Sequence, residues 1–471
     1  VNLSGYSSEI ITDFSAGMND KFEPNLVKNN QAVDLQNVMV TIIGRIKKRP
    51  GCSKLNTTAL GGAILGLHGY HYGTGLSTHK LIAAANGVVA YWDTGTSAFV
   101  NIKTGLNATA QVLFATCVNY LVYMNGMDAP RKWDGTTDSA LSNAPATGKC
   151  PVLYKEKLFC IVDEDTINWS DSFAPETWPG VNTKDFDRGD GDELSGLFPY
   201  MQDLIVSKKR SLHVFKGSSL DDFRSARVED KHGVAGPLAG VVVEPYFYYI
   251  SEDGIFRWDT MKSFCLTDPP LSSGLPGIPT LWATVNKLSL AKSTAGYNKA
   301  YNQLWFCVPE GSATTNNMVL VYDLNFNSWW VFRGIPAYGM IQYNNGSTIK
   351  TYAGHSSSGY LIEINTGFND MGAAISSYWT GRNLDGGDPE QDKRVRVVAL
   401  LDANGLNDAT FSYRLDNAGS YTSPTALSDS NDVRHYNITN GRCNSFQPKL
   451  SHSTIDKDFS CSGIKVFWKP L

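Results

Sequence analysis

Through the middle of the chain, hydrophobic positions come in short runs. Each run leads through a turn into a strand that ends in an aromatic residue beside Asp, Asn or Gly. The unit recurs at Gly87–Asp93 (GVVAYWD), Ala129–Gly135 (APRKWDG), Thr166–Asp171 (TINWSD), Arg210–Gly217 (RSLHVFKG), Gly254–Asp259 (GIFRWD), Val319–Asp323 (VLVYD) and Gly359–Asn365 (GYLIEIN). Runs this short, bounded by turn residues, predict strands rather than helices. Upstream partners fit the same plan. Asp203–Ser207 precedes the fourth aromatic strand, and Tyr246–Ile250 precedes the fifth through the hairpin signal Ser251-Glu252-Asp253-Gly254.

The repeat has a period. Measured between Trp92, Trp133, Trp169, Phe215, Trp258, Tyr322 and Ile362, the gaps are 41, 36, 46, 43, 64 and 40 residues. Most lie near the roughly 40–45 residues of a four-stranded propeller blade. The long gap contains the proline-rich stretch Leu266–Thr280 (LTDPPLSSGLPGIPT), which reads as an inserted loop. A single small sheet cannot bury both faces, whereas a closed ring of sheets can. The pattern therefore predicts an all-β chain with a β-propeller of about seven blades over residues 61–375, six and eight being the alternatives.

Two regions lie outside the ring. Residues 1–60 are polar and are expected to form an irregular arm and ring-contact segment. Hydrophilic residues from Thr380 to Lys393 suggest a linker, after which strands resume at Val395–Leu401, Thr410–Leu415 and Ile464–Trp468. A C-terminal β-sandwich-like domain is expected over 381–471.

Composition narrows the function class. Charged residues make up 18% of the 471 residues and aromatic residues 11%, with 43 glycines, a balance suited to strands and turns. The net charge of −4 is not the basic balance normal for a protein that grips duplex DNA through its phosphates. No apolar run is long enough for a membrane span, and the N-terminal residues Val1 to Tyr6 lack a leader pattern. The eight cysteines show no zinc spacing and read as small buried apolar residues.

Several clusters invite a chemical reading. The Asp/Gly alternation of Asp185–Glu193 is that of a calcium loop, but Gly189 falls at the fifth position and no Glu falls at the twelfth. A turn between blades is the expected role, with no metal. Arg45, Lys47, Lys48 and Arg49 could meet DNA or an acidic neighbour, and a solvated loop or subunit contact is expected of them. Lys208, Lys209 and Arg210 either pair with acidic neighbours or line a channel. The Trp-Asp pairs at 92/93, 133/134 and 258/259 read as blade packing with a turn-capping carboxylate. Alternation along a strand would send one of Trp329 and Trp330 outward as an interface candidate. No hydrolase, zincin, Walker or dinucleotide fingerprint is present, and the eight histidines are dispersed. No cofactor and no catalytic residue is expected. The rival readings are a propeller glycosidase or carbohydrate-binding protein acting on host-surface glycans through carboxylates across the pore, and a generic cellular scaffold.

The chain also resembles a family. Phe14-Ser15-Ala16-Gly17-Met18-Asn19, then Leu35-Gln36-Asn37, then Gly44 to Gly51 with its Arg49-Pro50-Gly51, are similar to the opening of phage tail propeller proteins. Asp190–Leu197 with Leu212–Lys216, Gly233–Pro237 with Tyr249–Ile255, and Phe446–Ser451 resemble their later elements. Gly236-Pro237 departs from that pattern. The family is the tail hub or nozzle, also called packaged-DNA stabilisation protein, of short-tailed phages. The resemblance implies a homohexameric ring in the virion tail, assembled in the host cytoplasm. It also implies contacts with a portal-adaptor protein and a tail fibre, tailspike or needle/plug protein, with genomic DNA passing through the lumen.

Overall fold

The strands richest in apolar residues are covered on both sides. Gln303–Val308 and Met318–Asp323 are buried along their whole length, whereas an outer strand such as Arg224–Glu229 stays largely exposed. The structure is a computed structural model and describes residues 5–401, 408–423, 425–426 and 433–471. Residues 1–4 of the stretch read for a leader, and 402–407, 424 and 427–432 of the expected C-terminal domain, lie outside the described residues.

Among the described residues, seven antiparallel sheets follow one another from Ile64 to Ile364. Their third strands are Val88–Asp93, Arg131–Trp133, Thr166–Trp169, Leu212–Lys216, Gly254–Trp258, Met318–Asp323 and Leu361–Ile364, which are the seven aromatic-type strands of the repeat. The first strand of each sheet abuts the first strand of the next, and Ala337–Asn344 of the seventh returns to Ile64–Tyr72 of the first. The fold is a β-propeller with these strands around its axis. The long gap holds a short helix, Pro279–Ala283, flanked by 3-10 turns, between the fifth and sixth sheets.

Carboxylates shape the hairpins. Asp134 Oδ1 accepts from the amides of Thr136 and Thr137 at 2.8 and 2.7 Å, and Asp259 Oδ1 from Met261 and Lys262 at 3.1 and 3.0 Å. Asp93 and Asp323 do the same at equivalent places. Each sits at the end of a third strand and turns the chain into the fourth.

The N-terminal segment is not the irregular arm the sequence suggested. Its strands are short and find distant partners. Ser7–Ile11 pairs with Gly463–Pro470, Asp34–Gln36 with Ser377–Thr380, and Arg45–Lys48 with Ser460–Cys461. Cys52–Lys54 then pairs with Leu361–Ile364 and supplies the outer strand of the seventh sheet. The ring is therefore closed by its two ends.

Two further sheets form the C-terminal sandwich. One orders Ser7–Ile11, Gly463–Pro470, Lys393–Leu401 and Val433–Asn437. The other orders Asp34–Gln36, Ser377–Thr380, Phe446–His452, Thr410–Leu415 and Thr425–Ala426. Phe411 of the second meets Tyr436 of the first, ring centroids 5.3 Å apart. Seven of the eight cysteines are buried and Cys265 is half-buried, and all are free thiols.

Candidate functional site

The basic run divides between surface and interior. Residues 38–48 form a hairpin, Val38–Ile42 against Arg45–Lys48, whose tip projects. Ile42 and Ile43 at that tip are 68% and 70% exposed, and Arg45 beside them is exposed. Lys47 is half-buried. Lys48 is buried, and its ammonium donates to the carbonyls of Thr454 and Lys457 at 3.2 and 2.8 Å. Burial lowers its pKa.

Arg49 is not a surface contact either. All five of its N–H groups are used: Nε donates to Asn37 Oδ1, Nη1 to Pro50 O and Asp370 Oδ1, and Nη2 to Arg333 O and Asp370 Oδ2. Both partners of this two-pronged pair are buried, Arg49 at 1% and Asp370 at 6% exposure. Asn37 adopts the left-handed conformation (φ 54°) and accepts from the amide of Arg333 as well. Gly51 completes the motif, since a Cβ there would lie 1.9 Å from Asn369 O. The Arg-Pro-Gly element thus clamps the arm to the sixth and seventh sheets.

Lys208, Lys209 and Arg210 lie at the end of the second strand of the fourth sheet and in the turn after it, with Lys208 paired to Leu194 of the first strand. Lys208 is fully buried. Its Nζ donates to Asp165 Oδ1 and Asp190 Oδ1, both at 2.7 Å, and to the carbonyls of Asp187 and Asp192. Burial alone would lower its pKa, but the hydrogen bonds it donates to Asp165 and Asp190 raise it above the ordinary value. The same hydrogen bond holds Asp165 low. Lys209 pairs with Glu193, and Arg210 is exposed, with its amide bonded to Asp192. Lys208 lines no channel. The Asp185–Glu193 loop wraps a cation as a calcium loop would, and that cation is the ammonium. No group of three or more His, Cys, Asp or Glu able to hold a metal ion occurs among the described residues.

Neither tryptophan of the Trp329-Trp330 pair is outward. Both are 0% exposed. They sit on the outer strand Ser328–Arg333 of the sixth sheet, which the arm covers: Met18 donates to Trp329 O at 2.8 Å and Asn37 to Val331 O at 2.8 Å. Gly17 (φ 63°) is required there, because a Cβ would stand 2.4 Å from Trp329 O. The surface expected for a partner is occupied by the chain itself.

The axis holds a cavity of about 270 Å³ lined by residues such as Leu67, His68, Phe114, Val152, Phe198 and Leu238. His68 Nε2 lies 2.9 Å from Thr116 Oγ1, and its ring stacks on Phe114. Burial pushes its pKa down to about 4, so the imidazole is neutral. The lining mixes apolar side chains with exposed polar atoms, and its titratable groups are His68 and Cys150.

Sequence reasoning missed Asp370, Asp165 and the Ile42-Ile43 tip. The tip was legible as two adjacent large apolar residues before a Gly44 turn; the two aspartates were not, since each sits alone far from its cation in the chain. No helix among the described residues is long and apolar enough to cross a membrane. No protein-family model matches the chain, and no curated protein matches it. Among solved structures, the computationally designed protein Ika8 is 12% identical, with TM-score 0.42, covering 66% of this chain and 100% of its own. U3-55K is 12% identical, with TM-score 0.44, covering 67% of this chain and 99% of its own. Neither overlap bears on activity.

Proposed function

We propose that this chain is a structural subunit of a short-tailed phage tail, a nozzle or hub that assembles into a homohexameric ring. In this reading it meets a portal-adaptor protein on one side and a tail fibre, tailspike or needle/plug protein on the other. Packaged DNA is retained in, and leaves through, the shared lumen, in a virion tail put together in the host cytoplasm. The observation that carries the reading is the lacing of the propeller to the sandwich. One N-terminal segment adds strands to both sandwich sheets and then closes the propeller, and Arg49 locks it in place. Such a block transmits load rather than opening around a substrate. The exposed Ile42-Ile43 tip offers a contact for a neighbouring copy, worth about 1.5–3 kcal/mol for each isoleucine buried.

Electron microscopy and light scattering of the purified protein test this. Rings of several copies are expected, and Ile42→Ser with Ile43→Ser should weaken their assembly at least about tenfold. A protein that stays single at high concentration, or that cleaves a host-surface polysaccharide, refutes the tail-subunit reading in favour of the glycosidase.

A further inference from the structure

The sandwich sheet that contains both Lys393–Leu401 and Gly463–Pro470 has a basic outer face in a chain of net charge −4. Alternation assigns its two sides. Val395, Val398, Leu400, Ile464 and Val466 are buried in the core, and the opposite side carries exposed Arg394, half-buried Lys465 and Lys469, and the buried Val397 and Ala399 between them. The register sets Arg394 opposite Lys469, and an irregularity between Val395 and Val397 leaves Arg396, which is exposed, beside them. Two aromatic rings underlie these cations. Arg396 Nη1 lies 3.5 Å from Tyr6 Oη, Lys469 Nζ is 5.9 Å from the centre of the Tyr6 ring, and Lys465 Nζ is 4.9 Å from that of Phe467. The charges on Arg396, Lys469 and Arg394 also hold the Tyr6 phenol below its ordinary pKa, with the Arg396 hydrogen bond the largest cause.

None of Arg394, Arg396, Lys465 and Lys469 forms an ion pair among the described residues. Neighbouring carboxylates are turned away or engaged: Asp392 is held by Arg442, and Glu9 lies opposite Val466 on the other side, near Arg382 and Lys393. Four cations without an ion pair among the described residues share one sheet face, repel one another and favour an anion.

We infer that this face binds the phosphate backbone of duplex DNA, with Arg394, Arg396, Lys465 and Lys469 each meeting a phosphate and none reading a base. Lys465 and Lys469 stand about 13 Å apart along their strand, and duplex DNA carries one charge per roughly 1.7 Å of axis. Phosphates therefore face the cations in any register. An acidic protein would need its carboxylates at matching positions. Single strands would need bare rings for stacking, and here the cations lie over the rings. Four contacts give weak, salt-sensitive binding, compatible with DNA that must still move. The inference rests on the conduit reading for bringing DNA to this face.

The test is fluorescence anisotropy of the full chain with a labelled random-sequence duplex of about 30 base pairs at rising salt. The logarithm of the binding constant should fall against the logarithm of salt with a slope of about −3.6, from four contacts. Arg394→Gln with Lys469→Gln should bring the slope to about −1.8. Arg394→Lys with Lys469→Arg should keep it, as should Lys209→Gln with Arg210→Gln on the propeller. No binding at about 50 mM salt overturns the inference, and so does an unchanged slope in the first variant. Competition by polyglutamate of matched charge as effective as by unlabelled duplex also overturns it, assigning the face to an acidic protein. Rings in micrographs report on the tail-subunit reading independently, so either idea can fail alone.

Discussion

At Lys208 a single ammonium fills the acidic loop that the sequence marked as a turn between blades. The Asp185–Glu193 loop and the Lys208–Arg210 run look like two clusters of opposite charge, and the hairpin between them, Leu194–Tyr200 with Asp203–Lys208, folds one onto the other. Only its second strand was legible, as the apolar run Asp203–Ser207, and the hairpin brings Glu193 to Lys209. What was not legible is Asp165, which reaches the cage from the neighbouring third sheet. Because Lys208 is fully buried while Asp165 and Asp190 keep some solvent contact, truncating the cation strands carboxylates that water can only partly serve. Lys208→Met should lower unfolding stability by about 3 kcal/mol, at the low end for a broken buried pair. Lys209→Met, which breaks an exposed pair, should change it by less than about 1 kcal/mol. Equal urea midpoints for the two variants would refute the cage as a stabilising device.

Elements differ in how plainly they announce themselves. The seven third strands were legible because each repeats an aromatic or β-branched run, four of them with a turn-capping Asp, and repetition adds signal that one strand lacks. The arm strands were not. Asp34–Gln36 and Cys52–Lys54 are three residues long, with partners at Ser377–Thr380 and Leu361–Ile364, so no local pattern marks them. The same distance hid the fate of Arg49, whose partner Asp370 lies at the far end of the propeller. Locally Arg49 belongs to a basic run, and only the closure of the ring buries it. Strand closure and ion pair act together: Arg49 holds the segment that leads directly into Cys52–Lys54. Arg49→Met should therefore cost about 3–5 kcal/mol by leaving Asp370 buried and unpaired. Arg49→Met with Asp370→Leu should recover much of that loss, since two apolar groups leave no charge behind. Denaturant unfolding of the three proteins measures this, and a double variant no better than the single one would show that the clamp acts through something other than charge pairing.

Over the whole molecule, the ring encloses imidazoles in places that disfavour their charged form. His68 at the axis is pushed down to about 4, and burial also lowers His71, His213 and His355. Where the folded pKa lies below the unfolded value of about 6.5, the unfolded chain binds more protons in between. Stability is then full above about pH 6.5 and declines as the pH falls toward 4. Buried carboxylates such as Asp20 and Asp323, raised above their ordinary values by burial, pull the other way at the acid end of this window. The comparison that isolates the axis is between the natural protein and His68→Gln, which keeps a partner for Thr116 without a titrating ring. Melting temperatures taken at pH 7.5 and pH 5 (about one unit above and somewhat over one below the free imidazole value) should fall for the natural protein. They should fall measurably less for His68→Gln. An identical fall in both would mean that His68 takes up its proton inside the ring without penalty, with water from the cavity serving the charge.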